Sequence, residues 1–155
     1  MKNTLPKLAA GIVALGICSQ AFAGDPVTEI TITTDKMQFL YDVKEFTVKA
    51  GTTVKITLIV PPDAIPQPHN LVIAKPGQEA ALVQGAMALM ADPNGMAKGY
   101  VPDNPDVVLA ASKLIQPGAT DILELEVPAE PGLYPYLCTF PGHFALMKGM
   151  MTVVE

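Results

Sequence analysis

Apolar residues recur at every second position along most of the chain, in short runs broken by glycine, proline and polar turns. Residues 28–34 put Ile30 and Ile32 on one face, and residues 46–49 and 54–60 alternate on either side of an Ala50-Gly51 turn. Residues 70–74 are a short apolar run ended by Pro76-Gly77. Residues 121–127 align Leu123, Leu125 and Val127, and residues 132–138 and 150–154 complete the series. Short half-buried strands with Gly/Pro turns predict an all-β fold, a sandwich of two sheets. One stretch departs from this period. Residues 78–91 (QEAALVQGAMALMA) contain good helix formers, with Val83 as the one β-branched residue, and Asp92-Pro93-Asn94-Gly95 stops them. Residues 78–112 are therefore expected as a helical insertion or flap on the sandwich.

The N-terminus reads differently. Lys2 and Lys7 precede an apolar run over residues 8–18, and Ala21-Phe22-Ala23 supplies a small-x-small cleavage signature. This is the layout of a secretory signal peptide over residues 1–23, leaving a mature domain over residues 24–155 and a periplasmic or otherwise exported location. Cys18 also admits lipidation, although Ile17 stands where a small residue would normally precede the modified cysteine. No later apolar run is long enough to cross a membrane.

Charge narrows the function classes. The chain has 10 Lys, no Arg and 15 Asp plus Glu. Removing residues 1–23 takes away two lysines and no acids, so the net charge moves from −5 to −7. An acidic chain without guanidinium groups is a poor binder of nucleic acid. The same cleavage leaves one cysteine, Cys138, and two histidines, His69 and His143. No intrachain disulfide is possible, and an exported lone thiol calls for an occupant such as a metal.

These scarce residues converge. The segment CTFPGHFALM, residues 138–147, holds a thiolate, an imidazole and a thioether within ten positions, and His69 stands upstream in Pro68-His69-Asn70. Two His, one Cys and a weak Met form the donor set of a blue-copper electron-transfer site. Soft sulfur favours Cu(I), imidazole serves both oxidation states, and a fixed intermediate geometry lowers the cost of reorganisation. Cys138 ends one strand and Met147 precedes the last, so these ligands fall in the loop between them. Pro141-Gly142 turns His143 back towards Cys138. Asn70 and Thr139 are expected to support the ligand segments with hydrogen bonds. Met87, Met90 and Met96 read as flap packing rather than a second copper surface.

CTFPGHFALMKG resembles the ligand loop of azurin, a bacterial cupredoxin, and its Cys-x4-His-x3-Met spacing favours azurin over plastocyanin. Residues 34–39 (TDKMQF), His69-Asn70, residues 95–100 (GMAKGY) and residues 112–115 (SKLI) are also similar to azurin, whereas residues 43–60 look more plastocyanin-like. The resemblance implies a cupredoxin Greek-key β-sandwich with one type 1 copper. His69, Cys138 and His143 would be its strong ligands and Met147 the long axial one. It also implies a backbone carbonyl approaching from the other side, at Pro68, where azurin has glycine; proline keeps its carbonyl. His143 would be the exposed ligand, through whose edge electrons pass. Phe140, Pro141, Phe144 and Ala145 would form an apolar docking collar around it for redox proteins such as cytochromes or copper enzymes. The expected protein is a monomeric electron carrier, not an enzyme. A redox enzyme would need open copper positions or further histidines. A copper carrier would use the same ligands, and that alternative stays open.

Overall fold

Each strand has one apolar face to hide, and the computed structural model, which describes residues 27–155, hides these faces between two sheets. Residues 1–23, expected as a signal segment, and Cys18 within them lie outside the described residues. In chain order the elements are β1 (Val27–Thr33), β2 (Glu45–Lys49), β3 (Thr53–Ile59), β4 (Val72–Ala74), α1 (Glu79–Leu89), β5 (Val108–Ala111), β6 (Thr120–Glu126), β7 (Gly132–Leu137) and β8 (Lys148–Val154). One sheet has the order β1-β3-β6 and the other β2-β8-β7-β4-β5. The pairs β1–β3 and β2–β8 are parallel and the remaining pairs antiparallel. Ile32, Val54, Ile56 and Leu58 from the smaller sheet meet Ile73, Tyr136, Met151 and Val153 from the larger in one core that also contains Cys138 and Met147.

Two features differ from the sequence pattern. The Ala50-Gly51 turn does not close a hairpin: β2 pairs with β8 and β3 with β1 and β6, so the turn carries the chain between sheets. Such a turn satisfies alternation on both sides equally well, which is why periodicity cannot separate the two cases.

The predicted flap is only partly off the sandwich. Helix α1 buries Leu82 and Ala86, one turn apart, and Leu82 packs with Val72, Ala74, Val107 and Leu137. Gly85 lies on the same side, where a Cβ would stand 2.5 Å from Pro102 Cγ, so the helix can approach the returning loop closely. Residues 108–111, expected within the flap, are instead strand β5, paired with β4 at the sheet edge. The methionines expected as flap packing turn outward: Met87, Met90 and Met96 are 54%, 52% and 55% exposed. Leu82 and Ala86 are the helix's buried residues, and Ala81 and Val83 pack partly against the same cluster.

Candidate metal centre

The β7–β8 connection is a tight closed loop. Cys138 N donates to Met147 O (3.0 Å), and Met147 N donates to His143 O (2.9 Å). Gly142 takes φ +83°, a left-handed conformation that suits glycine, and the 3-10 turn His143–Ala145 follows at once. That reversal brings His143 Nδ1 to 3.6 Å from Cys138 Sγ. His69 arrives from the other side, just before β4. It exchanges both backbone hydrogen bonds with Ile115 (2.9 and 2.8 Å), while Leu71 O accepts from Ser112 N (2.9 Å) and Leu71 N donates to Ser112 Oγ (2.8 Å). One donor atom from each of His69, Cys138 and His143 lies within 4.8 Å of the others. Met147 is fully buried in the same core cluster as Cys138.

The chemistry of this group fits a soft metal ion. His69 Nδ1 is buried with no hydrogen-bond partner. A buried orphan nitrogen costs about 1–3 kcal/mol unless something accepts its lone pair. Burial lowers the pKa of His69 to about 4; burial and then the neighbouring His69 lower that of His143 to about 4. Both rings are thus neutral donors at ordinary pH. Burial pushes the Cys138 thiol up to about 11, while the backbone amides of Asn70 and Phe140 pull it back down. A thiolate here therefore needs a compensating cation, and those two amides are placed to stabilise it.

Asn70 joins three segments behind the site. Its Nδ2 donates to Gly99 O and to Thr139 Oγ1, both at 2.8 Å, and its Oδ1 accepts from Thr139 N at 2.9 Å. Thr139 Oγ1 donates to Gly99 O at 3.2 Å. Gly99 (φ +62°) and Tyr100 (φ +56°) both adopt left-handed conformations. For tyrosine this costs roughly 1–2 kcal/mol, offset where the ring stands edge-on to Phe140 at 5.6 Å. Asn70 and Thr139 thus meet, as their sequence positions suggested.

Other expectations change. His143 is only 2% exposed. The Phe39 ring stacks on it at 4.1 Å and 17°, Phe140 lies at 4.8 Å, and Gln67 Oε1 meets its Nε2 at 2.7 Å. The exposed-edge expectation is therefore corrected: a side-chain amide covers the ring. Within the expected collar, Ala145 is exposed, Pro141 is half-buried, and Phe140 and Phe144 pack partly inward on the two core clusters. Leu146, at 65% exposure, is the large apolar side chain that the loop presents outward. Sequence reasoning missed Phe39, which packs on both histidines, and Gln67; the only signal was Gln67's place two residues before His69.

A β-sandwich that gathers a buried His–His–Cys cluster, Cys138 and His143 from the loop between its last two strands and His69 from just before β4, defines a mononuclear cupredoxin centre. The profile of the family described as copper binding proteins, plastocyanin/azurin family, matches residues 28–154. Auracyanin-A of Chloroflexus aurantiacus is 36% identical over 129 residues, covering 83% of this chain and 75% of that protein. Azurin-1 of Alcaligenes xylosoxydans xylosoxydans is 35% identical over 126 residues, covering 78% and 92%. The solved structure of auracyanin A, a "blue" copper protein from Chloroflexus aurantiacus, superposes with a TM-score of 0.74 at 32% identity, over 83% of this chain and all (100%) of that one. The chain belongs to the plastocyanin/azurin copper-binding family. It is a cupredoxin whose cofactor is copper, an electron carrier rather than an enzyme.

Proposed function

We propose that this chain is an exported, periplasmic blue copper protein whose mature cupredoxin domain spans residues 24–155 and which passes single electrons between redox proteins. His69, Cys138 and His143 would hold the copper as its strong donors, with the Met147 thioether and the Pro68 carbonyl as its weaker ones. The observation that carries this reading is the buried donor triangle within 4.8 Å, with His69 Nδ1 unpartnered. Bound there, copper supplies a one-electron couple between Cu(I) and Cu(II). The residues do the rest. The closed loop holds Cys138, His143 and Met147 at fixed separations, the Ile115 bridge holds His69, and the Asn70–Thr139–Gly99 network locks the two segments together. Burial keeps water from the donors, so little has to move when the charge changes. The outer surface around Pro141, Ala145 and Leu146, edged by Phe140 and Phe144, forms the docking face for a redox partner. Small interfaces of this kind release quickly.

The rival is a copper carrier with the same ligands, and kinetics separates them. Electron self-exchange of the copper protein is measured beside transfer of its copper to a chelator. Fast exchange with slow release supports the electron carrier; slow exchange with ready release refutes it. In the same samples, Met147→Leu retains the visible band and raises the reduction potential, because an apolar chain disfavours Cu(II). An unchanged potential removes Met147 from the ligand set. Recovery of the processed chain in the cytoplasm, rather than the periplasm, would refute the export.

A further inference from the structure

The covering of His143 is the feature that neither the family assignment nor the ligand set explains. We propose that Gln67 is a positioning residue for the metal centre: its side-chain carbonyl accepts the His143 Nε2 proton, fixing the ring with Nδ1 towards Cys138, and closes the ring's outer edge to partners. The proposal rests on the ligand reading given above.

The tautomer follows from counting protons. A neutral imidazole carries one N–H. Nδ1 is the nitrogen that faces the Cys138 sulfur, at 3.6 Å, within the donor triangle. To offer a lone pair there it must be bare, so Nε2 carries the proton and is a donor. Its partner at 2.7 Å is Gln67 Oε1, an acceptor. The opposite arrangement, with the Gln67 amide NH2 towards Nε2, would put the ring proton on Nδ1 and leave the site without that ligand. The orientation of one amide therefore decides whether His143 is ready to bind.

Gln67 is itself well anchored. Its N–H donates to Ile65 O at 2.7 Å, Ile65 N–H donates to Lys36 O at 2.9 Å, and the Lys36 ammonium pairs with Asp63 at 2.6 Å. Pro68 stiffens the link from Gln67 to His69. One rigid tripeptide, Gln67-Pro68-His69, thus contributes one ligand and orients another. The stacked Phe39 ring prevents His143 from turning away. Two consequences follow. An acceptor on Nε2–H stabilises positive charge on the ring and so favours the oxidised centre. A partner that docks on this face meets the Gln67 amide and Phe39, not the imidazole edge.

The test compares wild type, Gln67→Leu and Gln67→Glu, as apoprotein and loaded with one equivalent of copper. Gln67→Leu removes the acceptor at similar volume. Its reduction potential is expected to rise by up to about 59 mV, the one-electron equivalent of a tenfold change in relative Cu(II) and Cu(I) affinity. In the apoprotein, the His143 ring N–H signal in NMR is expected to exchange with solvent about tenfold faster, as a lost hydrogen bond implies. Gln67→Glu keeps an acceptor and adds negative charge, so exchange stays slow and the potential falls below wild type. Unchanged potential and ring-proton exchange in Gln67→Leu would overturn the proposal, as would a rise in potential in Gln67→Glu. Failure of wild type to form a blue centre would instead sink the ligand assignment, because the ring-proton exchange needs no metal.

Discussion

Replacing Asn70 by alanine would cut the three hydrogen bonds that join β4, the flap and the ligand loop. Asn70 and Thr139 are 0% and 1% exposed, so water cannot take over these bonds. Thr139 N–H would lose its acceptor entirely, whereas Gly99 O would keep the weaker bond from Thr139 Oγ1. At about 1 kcal/mol for each bond lost, and more for an orphaned buried donor, the cost is about 3 kcal/mol, within a range of roughly 2–5. For a domain of about 130 residues, each kcal/mol lowers Tm by roughly 3–4 °C, so the apoprotein should melt ~10 °C lower. Thr139→Val is the graded control. It deletes the hydroxyl, and with it the bonds to Asn70 Nδ2 and Gly99 O, but leaves Thr139's amide bond and the Asn70–Gly99 bond, so it should cost about 2 kcal/mol, less than Asn70→Ala. Urea unfolding of the three apoproteins, followed by circular dichroism, measures both values without interference from metal. An Asn70→Ala cost below about 0.5 kcal/mol, or a Thr139→Val cost exceeding it, would refute this account of the network.

Three further outcomes are expected. Both histidines fall from an ordinary 6.5 to about 4 in the folded chain, so the unfolded chain takes up protons first. Their contribution to apoprotein stability is complete above pH 6.5 and is lost progressively as pH falls through 4; urea midpoints that stay level from pH 7 to 4 would contradict this. With its thiol pushed up to about 11 and fully buried, Cys138 should alkylate far more slowly than free cysteine at pH 8 in the apoprotein, and alkylation at the free-cysteine rate would count against the buried site. A Cβ at Gly149 would collide with the Tyr136 phenol and Lys44 O, so Gly149→Ala should destabilise the fold by about 1–3 kcal/mol, an effect that urea unfolding resolves and that a neutral result would disprove.

The parts of the molecule legible in its sequence are those governed by local rules. Alternation located β1, β2, β3 and β6, because a half-buried strand must repeat every second residue, and apolar runs bounded by turn residues located β4, β7 and β8. The eighth, β5, was hidden. Val108–Ala111 carries four half-buried residues with no polar alternation, and it follows a Pro- and Asp-rich loop that reads as surface. The ligand loop was legible because three donors lie within ten residues at fixed spacing. His69 could be added because the chain offers one other imidazole. The layer around those donors depends on distant pairings instead. Phe39 reaches both rings from the loop after β1, and Gln67 reaches His143 from 76 residues away. Apart from Gln67's place two residues before His69, no spacing signals these contacts, and the covered histidine edge follows from both. The outward Met87, Met90 and Met96 show the same limit: apolar composition did not reveal which side chains of this stretch face the sheet.

The visible absorption spectrum of the protein carrying one equivalent of Cu(II), recorded beside Cys138→Ser, tests the central claim most directly. A buried thiolate–copper pair predicts an intense blue charge-transfer band that ascorbate or dithionite bleaches, that reoxidation restores, and that is missing from Cys138→Ser. A stoichiometric Cu(II) complex of the wild-type protein without that band would contradict the account.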